Sequence, residues 1–487
     1  MSIANSTALW QAGAGIHHDD TASRSWVSAV ATDSPVTDLA DFHRWFAEQG
    51  RSHSYSVSRV ALDSIDGWHF DEGTGDLVHG SGKFFSVAGL HVRTDSGHTR
   101  EWRQPVIVQP EIGILGILVK EFGGVLHALM QAKMEPGNIN TLQLSPTVQA
   151  TRSNYTGVHR GRRVPYLEYF TGETGDRVVA DVLQSEQGAW FLHKRNRNMV
   201  VETTADVPLL EGFCWLTLGQ LGQLLQVDNL VNMDSRTVLA TVPYGDPGPL
   251  LAGRSGPSPF SRSVLRSYSP ALGALHPMNE VLSRLTRARA RYELVQQRVP
   301  LRDILGQEWE RTDKAISRPD GKHFEIIGVD VVADQREVGS WSQPLLAPLN
   351  GLAGLIVKRI DGVLHALLHA RIEAGELNVA EFAPTVQCTP QHYLDSRPEE
   401  RPLFYDELMN APADRIRYDA LLSEEGGRFY HAVTRNIVVE ADDDLPIDVP
   451  PEYCWLTMHQ AQALLQHSNY VNVQGRTLLA CLNLALR

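Results

Sequence analysis

An internal repeat with a period of about 239 residues restricts the possible folds of this chain more than any other feature. The stretch Gly116–Lys133 (GILVKEFGGVLHALMQAK) recurs as Gly354–Arg371 (GLIVKRIDGVLHALLHAR), with ten of eighteen positions identical. Shorter matches follow in the same order, and Cys214–Thr217 (CWLT) recurs as Cys454–Thr457. Matches that keep their order along both halves indicate two homologous modules in one chain.

The ends of the repeat suggest where the modules begin and end. We place the first module at residues 36–245 and the second at residues 275–487. Residues 246–274 between them are rich in Gly, Pro and Ser, which is typical of a linker. Residues 1–35 lack hydrophobic periodicity, and we expect them to form a poorly ordered arm.

Hydrophobic periodicity predicts the same elements in both modules. Each opens with a helix-like stretch, at Asp38–Gln49 and at Met278–Val295, and several strand-like runs follow. Each closes with an amphipathic helix, at Thr217–Gln226 and at Thr457–Gln466. We therefore predict an α+β fold in which each module has a mixed β-sheet with flanking helices.

Composition excludes several classes of protein. The 487 residues include 44 Lys and Arg against 57 Asp and Glu, and the net charge of −13 argues against nucleic-acid binding. The four cysteines form no Cys-x-x-Cys pair, which argues against a zinc ribbon. The longest strongly apolar run, Ile112–Val119, is too short to cross a bilayer and no signal peptide is visible. We expect a cytoplasmic protein without a membrane partner.

One predicted strand of each module has a chemically distinctive face. In Val125–Glu135, the small and apolar residues alternate with polar ones, so that one face covers a core. The other face carries the candidate site residues His127, Gln131, Lys133 and Glu135 in the first module, and His365, His369, Arg371 and Glu373 in the second. A cation beside a carboxylate suits a phosphate or carboxylate partner. An ordinary solvated sheet face is the alternative interpretation.

Further candidates flank this face in both modules. In the first module they are Trp102, Gln104, Thr147, Gln149, Tyr155, Arg163 and Tyr166, and in the second they are Trp341, Gln343, Thr385, Gln387 and Tyr393. Tryptophan can stack on a planar base, although a core position is the more common role for Trp102. No motif for a dinucleotide, for ATP or for a metal is present in the sequence. We therefore expect acid–base chemistry without a cofactor and without a metal.

These residues carry a resemblance to a known family. Together with Trp102–Pro105 (WRQP), Leu144–Gln149 (LSPTVQ) and Val164–Phe170 (VPYLEYF), they resemble the NDP-hexose 2,3-dehydratases of deoxysugar and antibiotic biosynthesis. The resemblance implies a lyase that converts dTDP-4-keto-6-deoxy-D-glucose into dTDP-3,4-diketo-2,6-dideoxyglucose. It also implies two Nudix-like modules, a homodimer and functional coupling to a 3-ketoreductase.

The chemistry of that reaction assigns roles to the candidates. A base removes the C3 proton, which the C4 ketone acidifies, and an acid assists departure of the C2 hydroxyl. The candidate catalytic residues are His127, Glu135, Tyr155, His365, Glu373 and Tyr393. The other candidates would bind substrate, and structural roles for the two histidines remain open.

Two other functions remain open. A metal-dependent Nudix hydrolase would split the diphosphate, but the Nudix sequence box is absent after Gly123-Gly124. A nucleotide-sugar-binding protein without activity is the other alternative. Either module can hold the reacting site, and the basic cluster Arg160–Arg163 favours the first.

Overall fold

The computed structural model describes residues 21–97, 99–151, 164–251, 258–334 and 339–484. In the first half the helices are α1 (Thr21–Val30), α2 (Leu39–Ser52), α3 (Glu168–Thr171), α4 (Leu218–Leu224) and α5 (Met233–Leu239). The strands are β1 (Tyr55–Val60), β2 (Trp68–Phe70), β3 (Leu77–His79), β4 (Ser86–Thr94), β5 (Glu101–Val108), β6 (Gly113–Phe122), β7 (Val125–Met134), β8 (Leu142–Ser145), β9 (Val148–Ala150), β10 (Arg177–Ser185), β11 (Arg195–Glu202) and β12 (Phe213–Thr217).

The second half repeats this order. Its helices are α6 (Gly248–Leu251), α7 (Pro259–Ser267), α8 (Met278–Arg291), α9 (Tyr405–Met409), α10 (Met458–Leu465) and α11 (Val473–Leu484). Its strands are β13 (Leu294–Val299), β14 (Glu310–Arg311), β15 (Ala315–Ser317), β16 (Glu325–Ala333), β17 (Ser340–Ala347), β18 (Gly351–Ile360), β19 (Val363–Arg371), β20 (Glu381–Ala383), β21 (Val386–Cys388), β22 (Ile416–Ser423), β23 (Val433–Glu440) and β24 (Tyr453–Thr457). The predicted α+β fold with two similar halves is confirmed.

Each half contains a seven-stranded mixed sheet of the same topology. In the first half the order is β10-β11-β6-β7-β12, with β8 beside β7 and β9 beside β6. In the second half the order is β22-β23-β18-β19-β24, with β20 beside β19 and β21 beside β18. The pairs β6–β11 and β18–β23 are parallel, and the other neighbours are antiparallel. β7 and β19 therefore hold equivalent central positions.

The two halves exchange a strand in their five-stranded antiparallel sheets. β1 of the first half pairs with β16 of the second, with Tyr55 opposite Ala333. In return, β13 of the second half pairs with β4 of the first, with Leu294 opposite Thr94. Each of the segments that we predicted as modules therefore supplies a strand to a sheet of the other.

Helices α1 and α7 lie in segments that we expected to be an arm and a linker. The hydroxyl of Ser28 on α1 donates to the Leu126 carbonyl (2.6 Å) and accepts from the Leu218 N–H (2.9 Å). Ser267 on α7 makes the same pair of bonds, to the Leu364 carbonyl (2.5 Å) and from the Met458 N–H. The structural repeat thus begins earlier than the sequence pattern indicates. Both helices also pack apolar side chains into the core, Trp26 and Ala29 from α1 and Val264 and Leu265 from α7.

The interface between the halves is a continuous core with buried polar links. Helices α5 and α11 pack together, and each presents a fully buried arginine to the other half. Arg236 donates to the Ser423 carbonyl (2.6 Å), and Arg476 donates to the Ser185 carbonyl (2.5 Å). In the described ranges, no helix is long and apolar enough to span a bilayer.

Candidate active site

A hydrogen-bonded polar network lies at the end of β7. Gln149 on β9 donates to Glu135 Oε1 (2.9 Å), and its own Oε1 accepts from Ser145 (2.8 Å) and from Asn232 (3.4 Å). Lys133 Nζ lies 3.8 Å from Glu135 Oε1. β7 and β9 both pair with β6, which is why these side chains meet. The predicted group of Lys133, Glu135 and Gln149 is therefore brought together.

The second half builds the same network at the end of β19. Gln387 donates to Glu373 Oε1 (2.7 Å), and Asn472 donates to Gln387 Oε1 (2.9 Å). Arg371 Nε lies 3.2 Å from Glu373 Oε1. Tyr393 lies close enough to Arg371 for the cation to oppose the rise in the tyrosine pKa that burial causes. The predicted residues Arg371, Glu373 and Gln387 are likewise brought together. The ring of Tyr393 contacts His392 and Tyr405 instead.

Each network is closed by a loop from the other half. Gly137 N–H donates to the Gly426 carbonyl and accepts from His431 N–H through its own carbonyl, both at 2.7 Å. A Cβ atom at Gly137 would lie 1.8 Å from the Phe429 oxygen, so only glycine permits this approach. The loop after β22 thereby brings Glu425 of the second half to the first network.

Three further carboxyl groups lie near Glu135 of the first network, close enough for their charges to interact. Glu135, Glu186 and Asp234 come from the first half, and Glu425 comes from the second. Burial, followed by the negative charge of Glu425, raises the pKa of Glu186 to about 7. Burial raises the pKa of Asp234 well above its usual range, and the charges of Glu425, Glu186 and Glu135 add to this effect. Burial also raises the pKa of Glu425 and lowers that of Lys194. At neutral pH such a cluster holds both a protonated and an ionised carboxyl group.

The second network lacks two of these carboxyl groups. Gln474 occupies the position equivalent to Asp234, and Gln187 occupies the position equivalent to Glu425. Glu376 is buried there instead, and burial raises its pKa well above the usual range. His369 stacks on Tyr453 with ring centroids 4.4 Å apart, and burial lowers the histidine pKa to about 3. The two sites therefore share a scaffold but differ in acid–base groups.

The structure separates His127 and His365 from these networks. His127 Nδ1–H donates to the Val125 carbonyl (2.9 Å), and Nε2 lies 2.7 Å from the Ser34 hydroxyl. His365 is held in the same way by the Val363 carbonyl (3.0 Å) and the Leu275 N–H (3.1 Å). The eight steps along the chain from His127 to Glu135 span about 26 Å of extended strand. Both ring nitrogens of each histidine therefore have partners within the fold, which favours the structural role that the sequence analysis left open, and the catalytic role stays a prediction.

The polar strand face is also shorter than predicted. Leu129 packs in a buried cluster with Phe170 and Trp215 on the face assigned to polar residues. The polar stretch of β7 begins only at Gln131, which is partly exposed beside the network. The strand passes through the interior, so both of its faces are covered along most of its length.

Thr147, Thr385 and Tyr166 have structural partners. Thr147 accepts from Leu118 N–H (2.8 Å) and donates to the Leu129 carbonyl, and Thr385 repeats this bridge between β18 and β19. The Tyr166 hydroxyl donates to the Pro208 carbonyl (2.7 Å) and accepts from a backbone N–H. The predicted substrate contacts of these three side chains are therefore not supported by the geometry.

The predicted tryptophan–glutamine pairs support the closing loops. Trp102 donates to Gln104 Oε1 (2.8 Å), and Gln104 donates to a backbone carbonyl of the loop after β10 (2.8 Å). Trp341 and Gln343 repeat the arrangement (3.2 Å), and Gln343 donates to the Gly427 carbonyl (2.8 Å). Each pair thus positions the loop that closes the network of the opposite half.

Two predicted residues, Tyr155 and Arg163, lie outside the described residues. The sequence interpretation overlooked Glu186, Asp234 and Glu425 as site residues. The signal that identifies the last two is the replacement of a carboxylate by glutamine between the copies. Across the ranges that the structure describes, no three His, Cys, Asp or Glu side chains are arranged to hold a metal ion.

Comparisons with known proteins give consistent results. A family model described as NDP-hexose 2,3-dehydratase matches the chain twice, at residues 39–242 and 278–482. Proteins named dTDP-4-dehydro-6-deoxy-alpha-D-glucopyranose 2,3-dehydratase from Saccharopolyspora spinosa and Amycolatopsis orientalis are each 48% identical to it. These matches cover 94% and 96% of this chain, and 93% and 95% of the relatives. A protein of the same name from Streptomyces violaceoruber is 49% identical over 92% of this chain and 97% of its own.

Proposed function

This chain belongs to the NDP-hexose 2,3-dehydratase family, and we propose on that basis that it removes the C2 hydroxyl of dTDP-4-keto-6-deoxy-D-glucose. The product is dTDP-3,4-diketo-2,6-dideoxyglucose. The observation that carries this proposal is the near full-length similarity to three relatives named for this reaction. The carboxyl cluster beside Lys133 supports it, because the reaction needs proton transfer next to an anionic substrate.

The substrate itself makes this elimination feasible. Its C4 ketone acidifies the C3 hydrogen, and the C2 hydroxyl lies β to the enolate that forms. Positioned donors that hold the enolate oxygen contribute roughly 10²–10³-fold each. The overall change is loss of water without net oxidation, so the chemistry requires no redox cofactor.

We place the reaction in the first network. Lys133 supplies a cation for the enolate oxygen or the diphosphate, and Glu135 with Gln149 orients the sugar. The second network, with Arg371 and Glu373, serves as a binding pocket for the same class of ligand. The carboxyl groups present only in the first network support this assignment, as does the pKa of Glu186, which burial raises to about 7.

The family resemblance also supports finer proposals about fold and partners. We propose that each half has a Nudix-like fold, that the protein forms a homodimer in the cytoplasm, and that a 3-ketoreductase consumes its product. The parallel pairing of β6 with β11 and the Gly123-Gly124 hairpin are compatible with a Nudix-like sheet. Sedimentation analysis of the purified protein tests the dimer.

A turnover experiment tests the function. The purified protein is incubated with dTDP-4-keto-6-deoxyglucose, with and without EDTA, and a 3-ketoreductase traps the unstable product. Loss of the C2 oxygen from a sugar that stays linked to dTDP, with the same rate in EDTA, supports the proposal. Metal-dependent release of dTMP would instead identify a hydrolase. Binding of dTDP without any turnover would identify a non-catalytic binding protein.

A further inference from the structure

We propose that Glu425 and Asp234 are the proton-transfer pair of the first network. Glu425, which the second half supplies, removes the C3 proton, and Asp234 gives a proton to the departing C2 hydroxyl. This inference rests on the proposed dehydratase function and deepens it. It makes the reacting site a composite of both halves of the chain.

Glu425 has the position and the freedom that a base requires. It lies on the loop after β22, which the Gly137 contacts and the Gln343 amide hold against the first network. The side chain is partly exposed although it lies deep between the halves. Among the described residues, none donates a hydrogen bond to its carboxylate. Burial raises the pKa of Glu425, and the nearby cations Arg428, Lys194 and Lys133 oppose this rise. The carboxylate is therefore available to a substrate.

Asp234 has the surroundings that a proton donor requires. It sits in the first turn of α5, two residues after Asn232, whose amide belongs to the Gln149 network. The side chain is 2% exposed, and its Oδ1 has no hydrogen-bond partner in the described structure. Burial, followed by the charges of three neighbouring carboxylates, raises the pKa of Asp234 well above its usual range, which favours the protonated form. A buried, protonated carboxyl group beside an ionised one is the arrangement that separates acid from base.

The comparison between the two copies isolates this pair. Three hydrogen-bonding side chains are the same in both networks, since Glu135, Gln149 and Asn232 have the counterparts Glu373, Gln387 and Asn472, whereas Ala383 stands at the position of Ser145. Asp234 and Glu425 are instead replaced by the amides Gln474 and Gln187. Gln187 has the size of the glutamate to which it corresponds, and Gln474 is one methylene longer than aspartate. Both amides can form hydrogen bonds, but neither exchanges a proton near neutral pH. The groups for binding are thus duplicated, whereas the groups for proton transfer are not.

The two carboxyl groups move protons in four steps that together remove one water molecule from the sugar. Glu425 takes the C3 proton, and the C3–H electrons form the C3=C4 bond of an enolate with charge on the C4 oxygen. Collapse of the enolate forms C2=C3, breaks the C2–O bond and restores the C4 carbonyl, while the proton of Asp234 completes a water molecule. The remaining C3 enol then passes its hydroxyl proton to Asp234 and receives the proton of Glu425 at C2. Both carboxyl groups return to their initial states, and the net change is loss of water.

Deuterium exchange distinguishes the two roles. The variants Asp234→Asn and Glu425→Gln are incubated with dTDP-4-keto-6-deoxyglucose in D₂O, and both product formation and deuterium at C3 are followed. Asp234→Asn should slow product formation by about 10²–10⁴-fold while C3 exchange continues. Glu425→Gln should lose both product formation and exchange. Titration calorimetry should show dTDP binding within a few-fold of the wild type in both.

The controls keep the outcomes distinct. Asp419→Asn removes a carboxylate of β22 that pairs with Arg435 at the surface, and it should leave turnover unchanged. Asp234→Gln installs the residue of the second copy, and it replaces Asp234→Asn if that variant does not fold. Product formation within a few-fold of wild type in the Asp234 variant, or C3 exchange that persists in Glu425→Gln, overturns the pair. Inactivity of the wild-type enzyme on this substrate refutes the proposed function itself.

Discussion

Replacing Gly137 by alanine tests whether the contact between the halves is essential. The Cβ atom would lie 1.8 Å from the Phe429 oxygen and 2.7 Å from the Gly426 oxygen. Since Cβ atoms essentially never approach another atom closer than 3.0 Å, the loop must move by at least 3.0 − 1.8 = 1.2 Å. Both atoms belong to backbone, so no side chain can rotate away to relieve the overlap.

Such a shift breaks two backbone hydrogen bonds at Gly137. Its N–H donates to the Gly426 carbonyl and its carbonyl accepts from His431 N–H, both at 2.7 Å. The buried N–H and carbonyl of Gly137, left without partners, cost about 1–3 kcal/mol each, so the free energy of unfolding should fall by at least about 2–6 kcal/mol. The displaced loop also carries Glu425, so turnover should fall as well.

Two matched variants separate stability from activity. A Cβ at Gly375 would lie equally close, 1.8 Å, to the Phe191 oxygen, but the loop that it displaces carries Gln187. Gly375→Ala should therefore cost similar stability and reduce turnover much less. Gly50→Ala places its Cβ 3.6 Å from Leu142 within helix α2 and should be neutral or stabilising by up to about 1 kcal/mol.

Urea unfolding and initial rates on dTDP-4-keto-6-deoxyglucose give the two measurements. A Gly137→Ala protein with wild-type stability would falsify the argument from backbone overlap. Equal losses of turnover in Gly137→Ala and Gly375→Ala would show that the reaction does not depend on the loop that carries Glu425.

Two further predictions concern charge. Lys133→Ala and Arg371→Ala should each weaken dTDP binding at one network by about 10–100-fold, as expected for loss of a charged hydrogen bond. Unchanged affinity of both variants in titration calorimetry would show that the networks do not bind dTDP. His369 has a folded pKa of about 3, below its unfolded value of 6.5, so its contribution to stability is complete above about pH 6.5 and is lost as pH falls. The variant His369→Gln carries the residue that the first half has at Gln131. The wild-type protein loses free energy of unfolding between about pH 6.5 and 5, and this variant should lose about 2 kcal/mol less, as measured by urea unfolding. An equal loss in both proteins would contradict the lowered pKa of His369.

Local patterns predicted the parts of the fold that depend on neighbours along the chain. The alternation in Val125–Glu135 identified strand β7, and the ends of the strand identified Lys133 and Glu135 as a pair. The same alternation placed His127 on the face of Lys133 and Glu135, but period-two spacing shows only which residues share a face and not what covers it. In the structure, Ser34 and the backbone of Val125 occupy both ring nitrogens of that histidine. The side chains on one face of a strand can reach a substrate only where no other part of the protein packs over them, and tertiary packing decides where that is.

The features of the fold and of the site that the sequence did not predict depend on contacts between the two halves of the chain. The pattern of β1 is the same whether it pairs within its own half or with β16, so the alternation in Tyr55–Val60 contains no information about the exchange. Glu425 reaches the first network for the same reason, through a loop of the other copy. What the sequence does contain is a difference between its copies. A duplicated scaffold can lose one set of proton-transfer groups while both sets of structural contacts remain necessary, so substitutions such as Asp234 to Gln474 indicate chemistry more directly than the positions that stayed the same.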